Sequence, residues 1–313
     1  MTPLVQTGPD ILGIFEPIYN DILFRSIVFD LPEGSAVMGT LLEFRELPAN
    51  IDRLLKVLAD ENSDATMVAE IVQLNPAVAA KILRVVNSTF AGLRSRITNL
   101  QRAVALLGYD NVRGLILGMS LFSALRAKFP SSVLSITDLW KHSAAVGQIG
   151  NIIANKLGNI DAATLLSAGL LHDAGKLVLA VAFRERYGKA LRDSADMKGE
   201  LLGIELRYFG VTHPILAAAL CYKWHLPERL WGLIAAQEHP SLGPDGRAAA
   251  ALMLAEFFAR SYGIGIDGQW AHGFVPEEAC WHLSLAQSTA GNIIEPDEIK
   301  GVVQTVSVIS EWE

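Results

Sequence analysis

The stretch "GLLHDAGKLVLA" (169–180) sets His172 beside Asp173 inside an otherwise apolar run. A buried carboxylate needs a cation, a metal or several donors, because burying it unpaired costs several kcal/mol. Neutral imidazole and carboxylate together suit a borderline divalent metal such as Zn, Mn, Fe or Ni. Lys176 follows His172 by four residues and Asp173 by three, so on a helix all three approach one face. Two roles are open to Lys176: neutralising Asp173, which is purely structural, or meeting a substrate phosphate beside a metal. Gly169 and Gly175 each weaken a helix by about 1 kcal/mol relative to Ala. Their presence predicts that another helix approaches closely.

Other polar residues also sit where apolar ones are expected. His142 lies in "DLWKHSAAVGQIGNIIANKL", His213 in "GVTHPILAAALCYKW", and His239 ends "GLIAAQEHP". Glu256 is the acid of "ALMLAEFFAR". Taken singly, each histidine reads as a satisfied core or boundary residue, and Glu256 as an exposed or paired acid. Tyr222, Trp224 and Trp231 read as helix packing rather than as a base-stacking platform.

The elements that must carry these residues are helices. Apolar residues recur at helical spacing in "IDRLLKVLAD" (51–60), "TMVAEIVQL" (66–74), "VAAKILRVVN" (78–87) and "LQRAVALLGYDNVRGLILGMSLFSAL" (100–125). "SIVFDL" (26–31) is the best strand candidate and is short. The fold class is therefore all-α. Asn50 and Asn75–Pro76 mark helix starts, Gly108 marks a helix end, and Asp110 is placed to cap the next helix. "KFPSSVLSITD" (128–138) separates two helical blocks, and "SLGPDGR" (241–247) and "SYGIGIDGQWAHGFVP" (261–276) read as loops. The expected organisation is an N-terminal extension, 1–37, ordered and packed on a first helical lobe, 38–130. A second helical lobe with C-terminal helices follows at 131–313.

With 51% hydrophobic and 19% charged residues, the chain can build a real core and is no disordered polymer. No uninterrupted apolar stretch approaches the length of a membrane span, and the N-terminus lacks the basic start and apolar run of a secretory signal. Cys221 and Cys280 sit far apart in apolar surroundings and read as small core residues of a reducing compartment. A cytoplasmic location is expected, without a membrane. The net charge of −7 argues against a large DNA-binding surface and leaves room for a local phosphate site.

The ordered set His142, His172–Asp173, His213 and His239, with an acid in a following helix, resembles the HD superfamily of metal-dependent phosphohydrolases. The resemblance is closest to its HDOD branch. "ELPANIDRLLKVL" (46–58) is similar to that branch's opening Leu-Pro helix. "VAEIVQLNPAVAAKILRVVNSTFAG" (68–92) is similar to its segment ending in Asn-Ser and a small residue, and "ITNLQRAVALLGYDNVRGLIL" (97–117) to the next helical pair. "LLHDAGKLVL" (170–179) and "THPILAAALCYKWHLPERL" (212–230) resemble the HD-containing half. The likeness runs from about residue 40 to 260.

The resemblance implies that His142, His172, Asp173 and His213 take metal-ligand positions. The paired histidines expected at 238–239 are here Glu238–His239, and the closing aspartate corresponds to Glu256, one methylene longer. Both acids stay in the candidate ligand set. The Gly-Tyr-Pro signature of HD-type cyclic-dinucleotide phosphodiesterases is replaced by "PSLGPDG", so hydrolysis of cyclic di-GMP is not expected. The family implies a bacterial signal-transduction module more firmly than an enzyme. Three functions follow from it. The first is a regulatory scaffold with a degenerate metal site (Fe, Mn, Ni or Zn), binding regulatory protein partners and open to homodimerisation. The second is an active phosphohydrolase on a nucleotide or phosphoester, with Asp173 and Lys176 in the catalytic roles and Glu238 or His239 assisting. The third is a sensor of a nucleotide signal.

Overall fold

In the computed structural model, the described residues are 57, 63–74, 76–89, 95–125, 133–196, 201–223, 226–265 and 274–309. The strand candidate 26–31, the extension 1–37, Asn50, Trp224 and nearly all of the Leu-Pro segment lie outside them.

Among the described residues the secondary structure is entirely helical. Helices α1 (Ala65–Gln73), α2 (Pro76–Thr89), α3 (Leu100–Leu107) and α4 (Tyr109–Leu125) come first. Asp64 caps α1 through bonds from the Thr66 and Met67 N–H groups, and Pro76 occupies the first position of α2, where its missing N–H costs nothing. Asn87 of α2 clamps the chain that follows: its Nδ2 donates to Leu83 O and Ile97 O, and its Oδ1 accepts from Ile97 N, each at 2.7 Å. Gly108 ends α3 at φ 78°, as its position predicted. Asp110 is the second residue of α4, whose first residue is Tyr109.

The core is organised around α5 (Ile136–Leu157) and α6 (Ala162–Leu171). Helix α5 is capped by Ser135 and ends at Gly158, φ 64°. Asp161 then caps α6, accepting from the Ala163 and Thr164 N–H groups. The short connection turns the chain back, and the two helices close to backbone contact. A Cβ on Gly169 would lie 2.3 Å from Gly147 N, and one on Gly147 would lie 2.6 Å from Leu166 O. Only glycine permits that separation.

The sequence alone reads 169–180 as one helix; the structure breaks it. Helix α6 stops at Leu171, His172 and Asp173 form the turn, and α7 (Ala174–Ala182) begins anew. Gly175 permits the packing that follows. A Cβ there would sit 2.0 Å from His213 O, so α7 lies against the first residue of α10 (His213–Lys223). By length and composition the run Ala162–Ala182 would suffice to cross a membrane, but 89% of its most apolar stretch is buried inside the fold.

The remaining helices are α8 (Arg184–Asp196), α9 (Leu201–Phe209), α11 (Glu228–Ala235), α12 (Gly246–Ser261), α13 (Glu277–Leu283), α14 (Gln287–Gly291) and α15 (Pro296–Ile309), with a 3-10 turn at Pro240–Leu242. Alanines at 248–251, 255 and 259 let α12 lie close along α5. Helix α15 returns to α5 and α2, where Lys156 donates to Ile293 O and pairs with Glu298. The buried apolar residues form one continuous core from Val68 to Val306. Cys221 and Cys280 are both buried free thiols, and Tyr222 packs edge-on against Trp231.

Candidate metal centre

Four separate chain segments deliver the polar residues to one point in this core. His142 comes from α5, His172 and Asp173 from the α6–α7 turn, His213 from the start of α10, and Glu256 from α12. The first four are 0–1% exposed, and Glu256 is 7% exposed.

The spacing is tight. His172 Nε2 lies 3.4 Å from Asp173 Oδ1 and 3.3 Å from Glu256 Oε2. His213 Nε2 lies 3.4 Å from the same Asp173 Oδ1. His142 Nε2 lies 3.0 Å from Glu256 Oε2 and 4.0 Å from Asp173 Oδ2. Ligand atoms around one ion with bonds of about 2.1 Å stand roughly 3.0–3.4 Å apart, and all of these separations except the 4.0 Å one fall in that range. His142, His172 and Asp173 each bring one ligand atom into a group spanning no more than 4.8 Å.

What the buried atoms bond to sharpens the point. His172 Nε2, Asp173 Oδ1 and His213 Nε2 have no hydrogen-bond partner, although all are buried. An unsatisfied buried polar atom costs about 1–3 kcal/mol, so three facing one another call for a common partner. The other ring nitrogens are already committed. His172 Nδ1 donates to Gly169 O at 2.7 Å, the carbonyl of the helix that leads into the turn. His213 Nδ1 donates to Glu205 Oε2 at 2.8 Å. In a neutral ring that leaves the Nε2 lone pair free for a metal, the usual arrangement around a ligating histidine.

The carboxylates are held ionised. Burial would raise the Asp173 carboxyl, but His172, then Lys176 and His213, bring it below its ordinary value. Lys176 pairs with Asp173 Oδ2 at 2.8 Å, both side chains fully buried. Its structural role, neutralising Asp173, is therefore filled. Glu256 is opposed by burial too, and Arg260 first, then His142 and His172, hold it well below the carboxylate range. Burial works against charge on His172, and the carboxylates of Asp173 and Glu256 outweigh it, pushing its pKa up to about 9.

Glu256 is also where the cluster meets a cavity of about 410 Å³, whose walls include Gln237, Glu238, Met253, Phe257 and Arg260. Glu238 stands on this wall. His239 directly precedes the 3-10 turn, its N–H donating to Ala236 O at 3.0 Å.

The HDOD domain model matches residues 45–240. The chain belongs to the HDOD family. A curated relative from Treponema pallidum (strain Nichols), itself uncharacterised, is 22% identical over 203 residues, 62% of this chain. The match takes in only 37% of that relative, so the chain spans little more than a third of its length. Among solved structures, a protein from Shewanella amazonensis SB2B provisionally named a phosphohydrolase is 21% identical at TM-score 0.64, over 88% of this chain and 97% of its own. An HDOD domain protein of unknown function from Geobacter sulfurreducens is 20% identical at TM-score 0.61, over 87% and 97%. A protein from Marinobacter aquaeolei VT8 provisionally named for signal transduction is 21% identical at TM-score 0.61, over 91% and 68%. At these identities the likeness establishes the fold.

Two residues that the sequence reading did not single out touch the cluster of this HDOD protein. Glu205 of α9 is fully buried and accepts three bonds: from Tyr187 OH at 3.0 Å, and from the N–H and Nδ1 of His213 at 2.8 Å each. Its signal was present, an acid inside "LLGIELRYF", of the same kind that drew attention to Glu256. Arg260 sits four residues beyond Glu256, the helical pairing distance, and forms an ion pair with its Oε1.

Proposed function

We propose that this HDOD protein is a regulatory, signal-transducing module of the cytoplasm whose His142, His172, Asp173, His213 and Glu256 hold one divalent transition metal. The trio of unsatisfied buried atoms on His172, Asp173 and His213 carries the metal assignment. When bound, such an ion supplies Lewis acidity toward phosphoryl oxygen and water. The chain's own residues do the rest. Gly169 O and Glu205 orient two imidazoles, Lys176 fixes Asp173, and the surrounding core keeps bulk water out. The regulatory role is supported by the substitutions at the open end. Glu238 stands in place of a neutral donor, and Glu256 is shared between the cluster and Arg260.

Protein purified without chelator and analysed by plasma mass spectrometry should carry close to one equivalent of Fe, Mn, Ni or Zn, and the His172→Ala/Asp173→Ala double variant should carry none. Less than about a tenth of an equivalent in the parent overturns the assignment. A second reading, hydrolysis of a phosphoester, is favoured by the cavity that reaches Glu256. Turnover of nucleotides or nitrophenyl phosphate by the metal-loaded parent, above that of the double variant, would decide for it.

A further inference from the structure

Phe274 and Trp281 are the most exposed large apolar residues among the described ones, at 80% and 73%. A single apolar side chain on a surface needs no explanation, but these two bracket one short segment. Phe274 and Pro276 stand on the cavity wall, α13 begins at Glu277, and Trp281 follows one turn later. Glu277 and Glu278 precede Trp281 by four and three residues, so both approach its side of the helix. Ala279, Cys280 and Leu283 are buried and anchor the other side. The segment is also pinned. Glu278 Oε1 accepts from Ser241 N–H at 3.1 Å and from Ser241 Oγ at 2.8 Å. With that hydroxyl proton given to Glu278, Ser241 Oγ accepts from His282 Nε2 at 3.1 Å. These bonds tie α13 to the 3-10 turn that follows Glu238, so the exposed aromatics stand on a fixed platform whose ordering cost is already met by the fold.

We propose that Trp281, Phe274 and the cavity mouth beside Phe274 form a docking face for a partner protein, and that its occupant is a Lys- or Arg-bearing segment with one apolar anchor. This extends the regulatory reading above to a partner and is independent of the metal. Charge selects the occupant. Glu238, Glu277 and Glu278 flank the aromatic pair, and neither Glu238 nor Glu277 has an ion-pair partner among the described residues. Arg247 meets α13 only at its far end, where it donates to Leu283 O. The acids of the first turn also favour the α13 dipole, so charge alone would not mark this face; the exposed aromatics beside it do. A guanidinium over the Trp281 ring gains from the negative ring face and from Glu277 together. Leu252 and Met253 on the cavity wall receive the anchor. The chain's own residues 1–37 do not match in charge, since Asp10, Glu16, Asp21, Asp30 and Glu33 oppose Arg25 alone. A net charge of −7 likewise works against a second copy on this acidic face.

Selection of random heptapeptides displayed on phage against the immobilised full chain, with and without EDTA, tests it. The enriched peptides should carry Lys or Arg beside an aromatic or large aliphatic residue, and be the same in both conditions. In fluorescence anisotropy, synthetic copies of them should bind Trp281→Ala at least about tenfold more weakly than the parent, with Trp281→Phe between the two. Glu277→Lys should weaken them by about fivefold, and added salt should weaken them in the parent. Leu74→Ala, which alters a comparably exposed residue of the first lobe, should leave binding unchanged. The proposal is overturned by no enrichment, by acidic or uncharged peptides, or by peptides that bind Trp281→Ala as tightly as the parent. Peptides enriched only without EDTA would belong to the metal cluster and overturn it too. Self-association in sedimentation that Trp281→Ala abolishes would make a second copy the occupant. Basic peptides selected by a protein that proves to carry no metal would leave this face standing while the metal assignment falls.

Discussion

His172 and His213 commit their Nδ1 protons to fixed acceptors, Gly169 O and Glu205, and leave Nε2 facing Asp173. His142 instead turns its Nε2 to Glu256, a carboxylate that Arg260 also holds. The inner half of the cluster is thus oriented by groups that take no other part in it. The outer half is satisfied by mutual pairing and faces the cavity. Orientation of this kind keeps a site ready for an ion, and mutual pairing makes the ion compete for its place.

Breaking the inner half should have the largest effect. Asp173→Ala leaves the buried Lys176 ammonium without the carboxylate that neutralises it, at a cost of about 3–5 kcal/mol measured by chemical denaturation. Asp173→Ala/Lys176→Met should recover most of that loss. If the double variant is no more stable than the single one, the ion pair is not what holds the turn.

A pH series separates proton from metal. His172 has its pKa raised from 6.5 to about 9 in the folded chain, so the metal-free protein has the full stabilising contribution below pH 6.5 and loses it as pH rises through 9. Metal binding runs the opposite way, because the ion must displace that proton. Mn²⁺ affinity should rise by about tenfold per pH unit between 7 and 9 and then level off. A flat profile over that interval would place the proton elsewhere.

Smaller changes probe orientation alone. Glu205→Gln keeps the shape but exchanges a carboxylate for an amide behind His213, and should weaken metal binding by about 10–100-fold with little loss of helix content by circular dichroism. Tyr187→Phe removes one bond to the same carboxylate and should lower stability by only about 1 kcal/mol, with metal affinity nearly unchanged. Equal effects of the two substitutions on metal affinity would mean that Glu205 acts through packing.

The all-α class was legible because helical spacing of apolar residues persists through α1 to α4, and Gly108 stops α3 where its position predicts. The His172–Asp173 pair was legible because burial of that dipeptide has few explanations. The break between α6 and α7 was not, since the apolar pattern runs through it without interruption. Just after the break Gly175 lies against His213, a contact between residues 38 positions apart in the chain. Glu205 was hidden for the same reason: its meaning comes from His213 and Tyr187, which only folding brings beside it. Gly169 and Gly175, read from sequence as points of close approach, do meet the backbones of Gly147 and His213.

The matched HDOD domain ends at residue 240, whereas Glu256 and Arg260 stand on α12, beyond it. A fragment trimmed to the matched residues would keep His142, His172, Asp173 and His213 but lose the acid that covers two of them, along with a wall of the cavity. Such a fragment would expose His142 and His172 to solvent, and its metal affinity would describe a different site. The smallest piece that reports on this centre extends at least through Ser261.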